Sequence, residues 1–446
     1  MLSVLANPTY RRLFAAQVIA LIGTGLMTVA LALLAFQLAG PDAGAVLGTA
    51  LAIKMIAYVG IAPIAGGFAA VLPRRAFLVA LDLVRASVAL ALPFVDQVWQ
   101  IYVLIALLQS ASAAFTPTFQ ATIPDILTDE EDYTRALSLS RLAYDLENLL
   151  SPVLAAALIG LMGFHWLFGG TVIGFLLSAA LVISVTLPQA ARKAQAETAA
   201  QRITRGIRIY LATPRLRGLL SVNLAIAAAG AMVIVNTVVL VKGVLDLSDS
   251  DMAMALAAFG CGSMLAALAL PRLLARTGER AVMIGAAAAM PVLLSGIAAT
   301  LPAGFPSALW AVLLIVWALL GICNSAALVP AGRLLRRSAH DEDRPAVFAA
   351  QFALSHACWL ITYPLAGWLG SAAGMPVTLV VLAAVAMIGA LTAARVWPAD
   401  DPRIVFHQHP ELPADHPHLA GAAPDKQHAH AFLIDDLHAH WPGSSR

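Results

Sequence analysis

The chain has 446 residues, of which 60% are hydrophobic and only 12% charged, whereas soluble domains carry about 25% charged and about 45–50% apolar residues. The apolar residues fall in long blocks, so a large soluble core is excluded and membrane spans are expected. A net charge of +2 gives no reason to expect a nucleic-acid partner.

In chain order, Arg11 and Arg12 precede an apolar run over 13–38, too long for the roughly 7–15-residue core of a secretory signal. It reads as the first membrane helix. Spans need about 20 apolar residues each. Eleven more candidates follow, at 45–70, 75–95, 99–123, 136–162, 165–187, 216–241, 252–271, 280–301, 306–330, 346–372 and 376–397. Cys261, Cys323 and Cys358 all lie inside these runs without CxxC spacing, which argues against a disulfide framework or a zinc finger.

The basic residues orient the spans. Arg74, Arg75, Arg135, and the stretches Arg192 to Arg217, Arg272 to Arg280 and Arg333 to Arg344 fall on one side. The connections on the other side hold one basic residue, Lys242, beside Asp246, Asp249 and Asp251. Basic residues accumulate on the cytoplasmic side. The expectation is a multi-pass protein of a bacterial inner membrane, with both termini cytoplasmic.

A basic connection over 188–215, with Arg192, Lys193, Arg202, Arg205 and Arg208, separates residues 1–187 from 216–397, and a tail occupies 398–446. Ala70-Val-Leu-Pro-Arg-Arg75 after the second helix lines up with Ala275-Arg-Thr-Gly-Glu-Arg280 after the eighth. The expected fold is therefore an all-α membrane protein of twelve helices, in two six-helix bundles related by a pseudo-two-fold.

The stretch Gly66-Gly67-Phe-Ala-Ala-Val-Leu-Pro-Arg74-Arg75 resembles the loop 2–3 motif of the major facilitator superfamily. Leu274-Ala-Arg276-Thr-Gly278-Glu-Arg280 resembles its echo in loop 8–9. The acidic residue of both patterns is replaced, by Ala70 and by Ala275, which leaves the family's charge latch between the halves without its acid there. Asn148-Leu-Leu-Ser151-Pro152 resembles the family's antiporter motif, with serine in place of glycine. The resemblance covers residues 5–397 and implies export by alternating access. It also implies a conformational role for Gly67, Arg74, Arg75, Asp82, Arg85, Arg141, Pro152, Arg276, Gly278 and Arg280.

Ionisable side chains inside spans are expensive and are functional candidates. Lys54, in the middle of the second helix, costs about 2.5–3.5 kcal/mol unless it finds a partner or a wet cavity. It is either neutralised by a structural acid or part of a transport site. In the fifth helix Arg141, Asp145 and Asn148 share a face, while Glu147 points elsewhere. An Arg141–Asp145 pair is explained by structure alone, but Asp145 or Glu147 could bind a cation or carry protons. Asp82 and Arg85, three apart, read as a self-paired couple. His356 can ligate a transition metal or relay a proton, or be a hydrogen-bonded core histidine. Cys358, two residues on, lies about 200° around the helix, so the two cannot chelate one ion unless the helix unwinds near Pro364. In a facilitator fold helices 2 and 11 approach each other, so Lys54 and His356 could face one cavity.

Eight of the eleven histidines lie in the tail, in four His-x-His pairs: His407 and His409, His416 and His418, His428 and His430, His438 and His440. In an extended chain such pairs present two imidazoles on one side, and histidine-rich tracts read as metal-binding. Asp415, Asp425, Asp435 and Asp436 could complete coordination. The competing readings are an expression tag or a solvated tail, and the Phe432 to Trp441 block is expected to dock on the protein body.

A facilitator body with such a tail resembles the bacterial nickel-resistance exporters. That resemblance implies Ni²⁺, or Co²⁺ or Fe²⁺, exported against protons, with Asp145, Glu147 and His356 at the membrane site and the tail collecting metal. No tightly bound cofactor is expected, the chain has no GxxxxGK[ST] loop, which favours ion-gradient coupling over hydrolysis, and the expectation is a transporter rather than an enzyme. The expected partners are the lipid bilayer, the metal or small-molecule substrate and protons, and the expected state is a monomer. Two alternatives stand beside this: a proton-coupled exporter of drugs or siderophores, and a membrane metal sensor that transports nothing.

Overall fold

The computed structural model describes residues 2–68, 73–127, 129–187, 199–301, 306–340, 342–401, 404–408, 427–435, 437, 438 and 440–442. The first helix, α1 (Pro8–Ala39), starts where Asn7 accepts hydrogen bonds from the backbone N–H of Thr9 and Tyr10, at 3.0 and 3.1 Å, with Pro8 in the first turn. That side chain satisfies N–H groups that no preceding turn can reach. The chain continues through α2 (Ala43–Phe68), α3 (Arg74–Ala91), α4 (Val98–Ile126), α5 (Glu130–Met162) and α6 (His165–Ile183). Beyond α7 (Ala199–Ala212) come α8 (Pro214–Val238), α9 (Asp249–Thr277), α10 (Glu279–Thr300), α11 (Pro306–Leu328), α12 (Ala331–Arg336) and α13 (Arg344–Val396).

Among the described residues nine helical stretches are long and apolar enough to cross a membrane, and two of them, of 54 and 51 residues, are long enough to cross twice. The first of these pairs α1 with α2. The second is α13, which turns back at Gly374, whose φ of 80° only glycine adopts readily. A span uses about 20 residues, so α13 supplies the expected eleventh and twelfth helices. The remaining crossing, α5, contributes among the described residues the apolar stretch Val153–Met162. The expected twelve crossings are present, with ends shifted by a few residues. The helices α7 and α12 were not expected, because their sequences are short and basic; Ile207, Ile209 and Tyr210 give α7 an apolar face that packs on the body.

In the first half α1 packs on α5 and α6, α2 on α4, and α3 on α4 and α6. In the second half α13 packs on α8 and α10, and α11 on α9 and α10. The halves meet through α2 against α13 and α5 against α9. These seams are tightest on the face away from the termini. A Cβ on Gly48 would lie 2.5 Å from the Tyr363 carbonyl oxygen, and one on Gly367 would lie 2.1 Å from that of Gly44. Small residues let membrane helices approach this closely. Beside this seam the Asn236 amide donates to the Ala366 carbonyl at 3.0 Å.

On the face that carries the termini, α7 and the tail dock on the second half. The Tyr210 hydroxyl donates to Gln351, Arg205 pairs with Asp343 at 2.7 Å, and Phe432, Ile434 and Trp441 are buried with Leu216, Met283, Leu335 and Trp397. The expected docking of the terminal block is thus what the structure contains. Two tail strands, β1 (Ile404–Gln408) and β2 (Gln427–Ala431), pair antiparallel with Ile404 opposite Ala431 and His407 opposite His428.

Gly367→Ala should force α2 from α13 at a cost of about 1–3 kcal/mol. The expected readout is a lower melting temperature in detergent and faster maleimide labelling of an Asn236→Cys reporter from the face away from the termini. Unchanged labelling would show that this contact does not hold the seam shut.

Candidate functional site

Three elements bring ionisable side chains together at mid-depth. Lys54 comes from α2, Glu147 from α5 and His356 from α13. Lys54 and Glu147 act on each other electrostatically, and Lys54 also acts on His356. Lys54 and Glu147 belong to the first half and the imidazole to the second, so the group straddles the seam. Close approach of α1 and α5 sets Glu147 in place: a Cβ on Gly25 would lie 2.0 Å from the Ser151 hydroxyl oxygen and 3.5 Å from the Glu147 Cγ. Only glycine fits there.

Aromatic rings surround the charges. The Lys54 ammonium lies 6.0 Å from the Tyr58 ring centroid, within reach of a weak cation–π attraction. The Tyr58 and His356 rings are stacked at 5.8 Å and 13°, and Phe352 lies 3.9 Å from His356. The His356 Nδ1 is 2.7 Å from the Phe352 carbonyl oxygen. A carbonyl only accepts, so Nδ1 donates and Nε2 is left as an acceptor. Trp359 packs its ring on the backbone of Gly230 and lies 4.9 Å from Tyr363.

The expected juxtaposition of Lys54 and His356 is therefore present, and Glu147 joins it. Cys358 is buried and turned toward Tyr210 of α7, away from this group. The side chains of Arg141, Asp145, Asn148 and Pro152 lie outside the described residues, as does Gly67. Tyr58 and Phe352 are missed by a search for charged residues; their i, i+4 spacing from Lys54 and His356 was the available signal.

The conformational candidates divide into local anchors. Asp82 and Arg85 form an ion pair in α3, Ser178 of α6 donates to Asp82 at 2.8 Å, and the Arg85 guanidinium lies 4.1 Å from the Phe115 ring and 4.5 Å from that of Phe175. Arg74 pairs with Asp125 at the end of α4, and Arg75 is exposed. In the echo motif Arg276 is exposed, Gly278 turns the chain at φ 77°, and Arg280 donates to the carbonyls of Trp397 and Ala394 at 3.0 and 3.1 Å. Two of the acidic partners come from outside the motifs, Asp125 beside Arg74 and Asp401 beside Arg215 and Arg337, while Glu279 belongs to the echo motif and pairs with Arg333.

In the tail, the described histidines His407 and His438 meet. Their Nε2 atoms are 3.1 Å apart, His407 Nδ1 is 3.0 Å from the Val405 carbonyl, and His438 Nδ1 is 2.9 Å from Asp435. Asp435 also reaches His340 of the body at 3.3 Å. Burial pushes the Asp435 carboxyl up, but the backbone N–H of His438, its ring and the N–H of Leu437 outweigh this, so it titrates below the ordinary carboxylate range. His440 is exposed. His409, His416, His418, Asp415, Asp425 and Asp436, and the side chains of His428 and His430, lie outside the described residues. Among the described residues no three His, Cys, Asp or Glu side chains converge in a way that could hold a metal ion.

The Asp82 side chain is fully buried and that of Arg85 is 6% exposed. Removing one buried partner strands the other charge, so Asp82→Ala should cost about 3–5 kcal/mol in unfolding free energy. Adding Arg85→Met should recover most of it. Thermal unfolding in detergent reads both variants, and equal losses in the single and double variants would show that the pair is not what anchors α3 to α6.

Comparison with known proteins adds the family. Residues 13–293 and 220–417 match the model of the Major Facilitator Superfamily. The uncharacterized MFS-type transporter YfiS of Bacillus subtilis (strain 168) is 29% identical over 188 residues, 42% of this chain and 44% of that protein, so the match spans less than half of that relative. Among solved structures the fold resembles the nucleoside transporter NupG (TM-score 0.64, 13% identity, 87% and 98% of the two chains) and a D-xylose–proton symporter (0.66, 14%, 88% and 98%). It also resembles an inward-facing, occupied bacterial homolog of the human lysosomal transporter Spinster (0.67, 14%, 87% and 96%). A family model that covers most of the chain, on a twelve-crossing body whose halves meet around a central charged group, makes this protein a member of the major facilitator superfamily of transporters.

Proposed function

We propose that this protein is a proton-coupled secondary transporter of a small organic solute, with proton and solute meeting at Lys54, Glu147 and His356. The observation that carries this reading is the placement of Lys54 and Glu147 at mid-depth in the first half, where they act on each other electrostatically, beside His356 of the second half. A carboxylate and an ammonium at this depth are costly apart and tolerable near each other. Protonation of Glu147 removes the negative charge that acts on Lys54, so a proton on one group changes what the other can bind. Helix contacts concentrated on the face away from the termini suit a carrier that loads from the terminal side and then rocks. The placement of Arg and Lys supports termini in the cytoplasm of a bacterial inner membrane.

Export of Ni²⁺, Co²⁺ or Fe²⁺ by proton antiport is the second reading, and one feature favours it: the tail's histidine pairs, with imidazole well suited to these ions. The tail would then collect metal before transport. Against it stands Lys54, whose positive charge faces the place a divalent cation would occupy, with Glu147 the one described carboxylate there. An organic solute avoids that repulsion, and the tail then serves to brace α7 and the second half.

The test uses proteoliposomes of the full chain with a pH dye inside and no imposed gradient, to which uridine, xylose, a dipeptide, hippurate, tetraphenylphosphonium or NiCl₂ is added in turn. The expected result is proton movement driven by one of the organic solutes and none by NiCl₂. Glu147→Gln should abolish the proton signal, a loss of about tenfold to a hundredfold, the size of one charge-assisted interaction, while solute-for-solute exchange persists. Proton movement with NiCl₂, lost in His356→Ala and slowed by truncation after Arg403, would establish the metal reading instead.

A further inference from the structure

Near the end of α8, on the face away from the termini, a buried polar atom has been left without a hydrogen bond. Asn236 is fully buried. Its Nδ2 donates to the Ala366 carbonyl at 3.0 Å and lies 3.6 Å from the Met232 sulfur. Among the described residues no donor reaches its Oδ1. A buried acceptor with no partner is rare in folded proteins and calls for a reason. Oδ1 lies instead against two glycines: a Cβ on Gly44 of α2 would be 2.7 Å from it, and one on Gly370 of α13 would be 3.2 Å from it.

The amide is held so that it cannot turn the acceptor elsewhere. The next residue, Thr237, accepts from the Trp317 Nε1 of α11 at 2.7 Å and donates to the Val233 carbonyl. That contact fixes α8 on α11, and the Ala366 bond fixes the Asn236 amide on α13. The helices α8, α11 and α13 all belong to the second half, so these bonds travel with that half when it moves. Gly44 belongs to the first half. The donor end of the amide is therefore satisfied inside one half, while its acceptor end is covered by the other. If the halves part on this face, the Ala366 bond persists and only the cover over Oδ1 is lost.

The two states of the seam thus differ in what Oδ1 can bind. With the seam shut it forgoes the hydrogen bond that water would give it; with the seam open, water reaches it. We infer that Asn236 sets the balance of the seam, its unpaired Oδ1 counting against the closed state and keeping the face away from the termini able to open. The close backbone contacts of Gly44, Gly48 and Gly367 favour closure, and Asn236 opposes them. An equilibrium moves only by the difference an interaction makes between its two states. One orphaned acceptor is worth about fivefold to a hundredfold in the ratio of open to closed. The effect is the same for any solute carried and draws nothing from Lys54, Glu147 or His356.

The test reads seam opening directly. Val239 is 6% exposed, and its Cγ2 would lie 3.6 Å from a Cβ on Gly44, so Val239→Cys is a reporter that a maleimide reaches when the seam parts. The full chain in oriented proteoliposomes is treated with an impermeant maleimide from the face away from the termini, and the chain without the reporter gives the background from Cys261, Cys323 and Cys358. Asn236→Leu, an apolar replacement of similar size, should slow labelling of the reporter by about fivefold to a hundredfold. Because Asn236→Leu also removes the Ala366 bond and could fail to fold, a second pair of variants isolates Oδ1. Gly370→Ser places a hydroxyl donor beside it from the same half, while Gly370→Ala adds the same Cβ without a donor. The serine variant should label several-fold more slowly than the alanine variant. Equal labelling of the two Gly370 variants would overturn the inference, and slower labelling in Asn236→Leu alone would then assign the effect to the Ala366 bond.

Discussion

A lysine and a glutamate held at membrane depth dictate much of the surrounding packing. Each charge alone would draw water or a lipid defect into the bundle; here each lies near enough to the other to act on it. Gly25 opposite Ser151 sets the approach of α1 to α5, and the seam of Gly44, Gly48 and Gly367 sets α2 against α13. The pair is also what makes the seam responsive, since a proton on one member changes the electrostatics that the other presents to the second half through His356.

The two faces of the protein are held by different physics. Away from the termini, glycines bring helix backbones into contact, and the Asn236 amide bridges α8 to α13. On the terminal face the contacts are charged: Arg74 meets Asp125 in the first half, and in the second Arg215 and Arg337 converge on Asp401, Arg205 on Asp343, and Arg280 caps the end of α13. The docked tail adds Trp441, whose ring lies 5.1 Å from the Arg215 guanidinium. The linker helix and the tail thus stiffen the second half, while the seam between the halves depends on close packing that can separate as a unit. A carrier that alternates access needs rigid halves and a seam that opens, and this division of labour supplies both.

Some of the site was legible from residue types alone. Lys54, Glu147 and His356 stood out because an ionisable group in an apolar run needs a reason to be there. Their mutual arrangement was not legible, because which helix face meets which depends on the rotation of α2, α5 and α13 about their axes, and apolar runs that are hydrophobic all round carry little phase information. The tail shows the same limit. The i, i+2 spacing gave no hint that the turn held by Asp435 brings His438 to His407, thirty-one residues away. The anchors Asp125, Glu279 and Asp401 escaped notice because each pairs with a basic residue on a different element.

The sequence by itself determined the class of the protein: long apolar runs that must be helices because lipid satisfies no backbone hydrogen bonds, their number, and the duplicated motif after the second and eighth spans. These follow from local composition and need no knowledge of neighbours. Only the tertiary structure decided that Glu147 lies near enough to Lys54 to act on it, that His356 from the other half joins the group, and that the tail packs with α7 on the second half. Each of those outcomes is a long-range choice among faces of similar hydrophobicity, settled by where two backbones can come closest and where a buried charge finds its counter-charge.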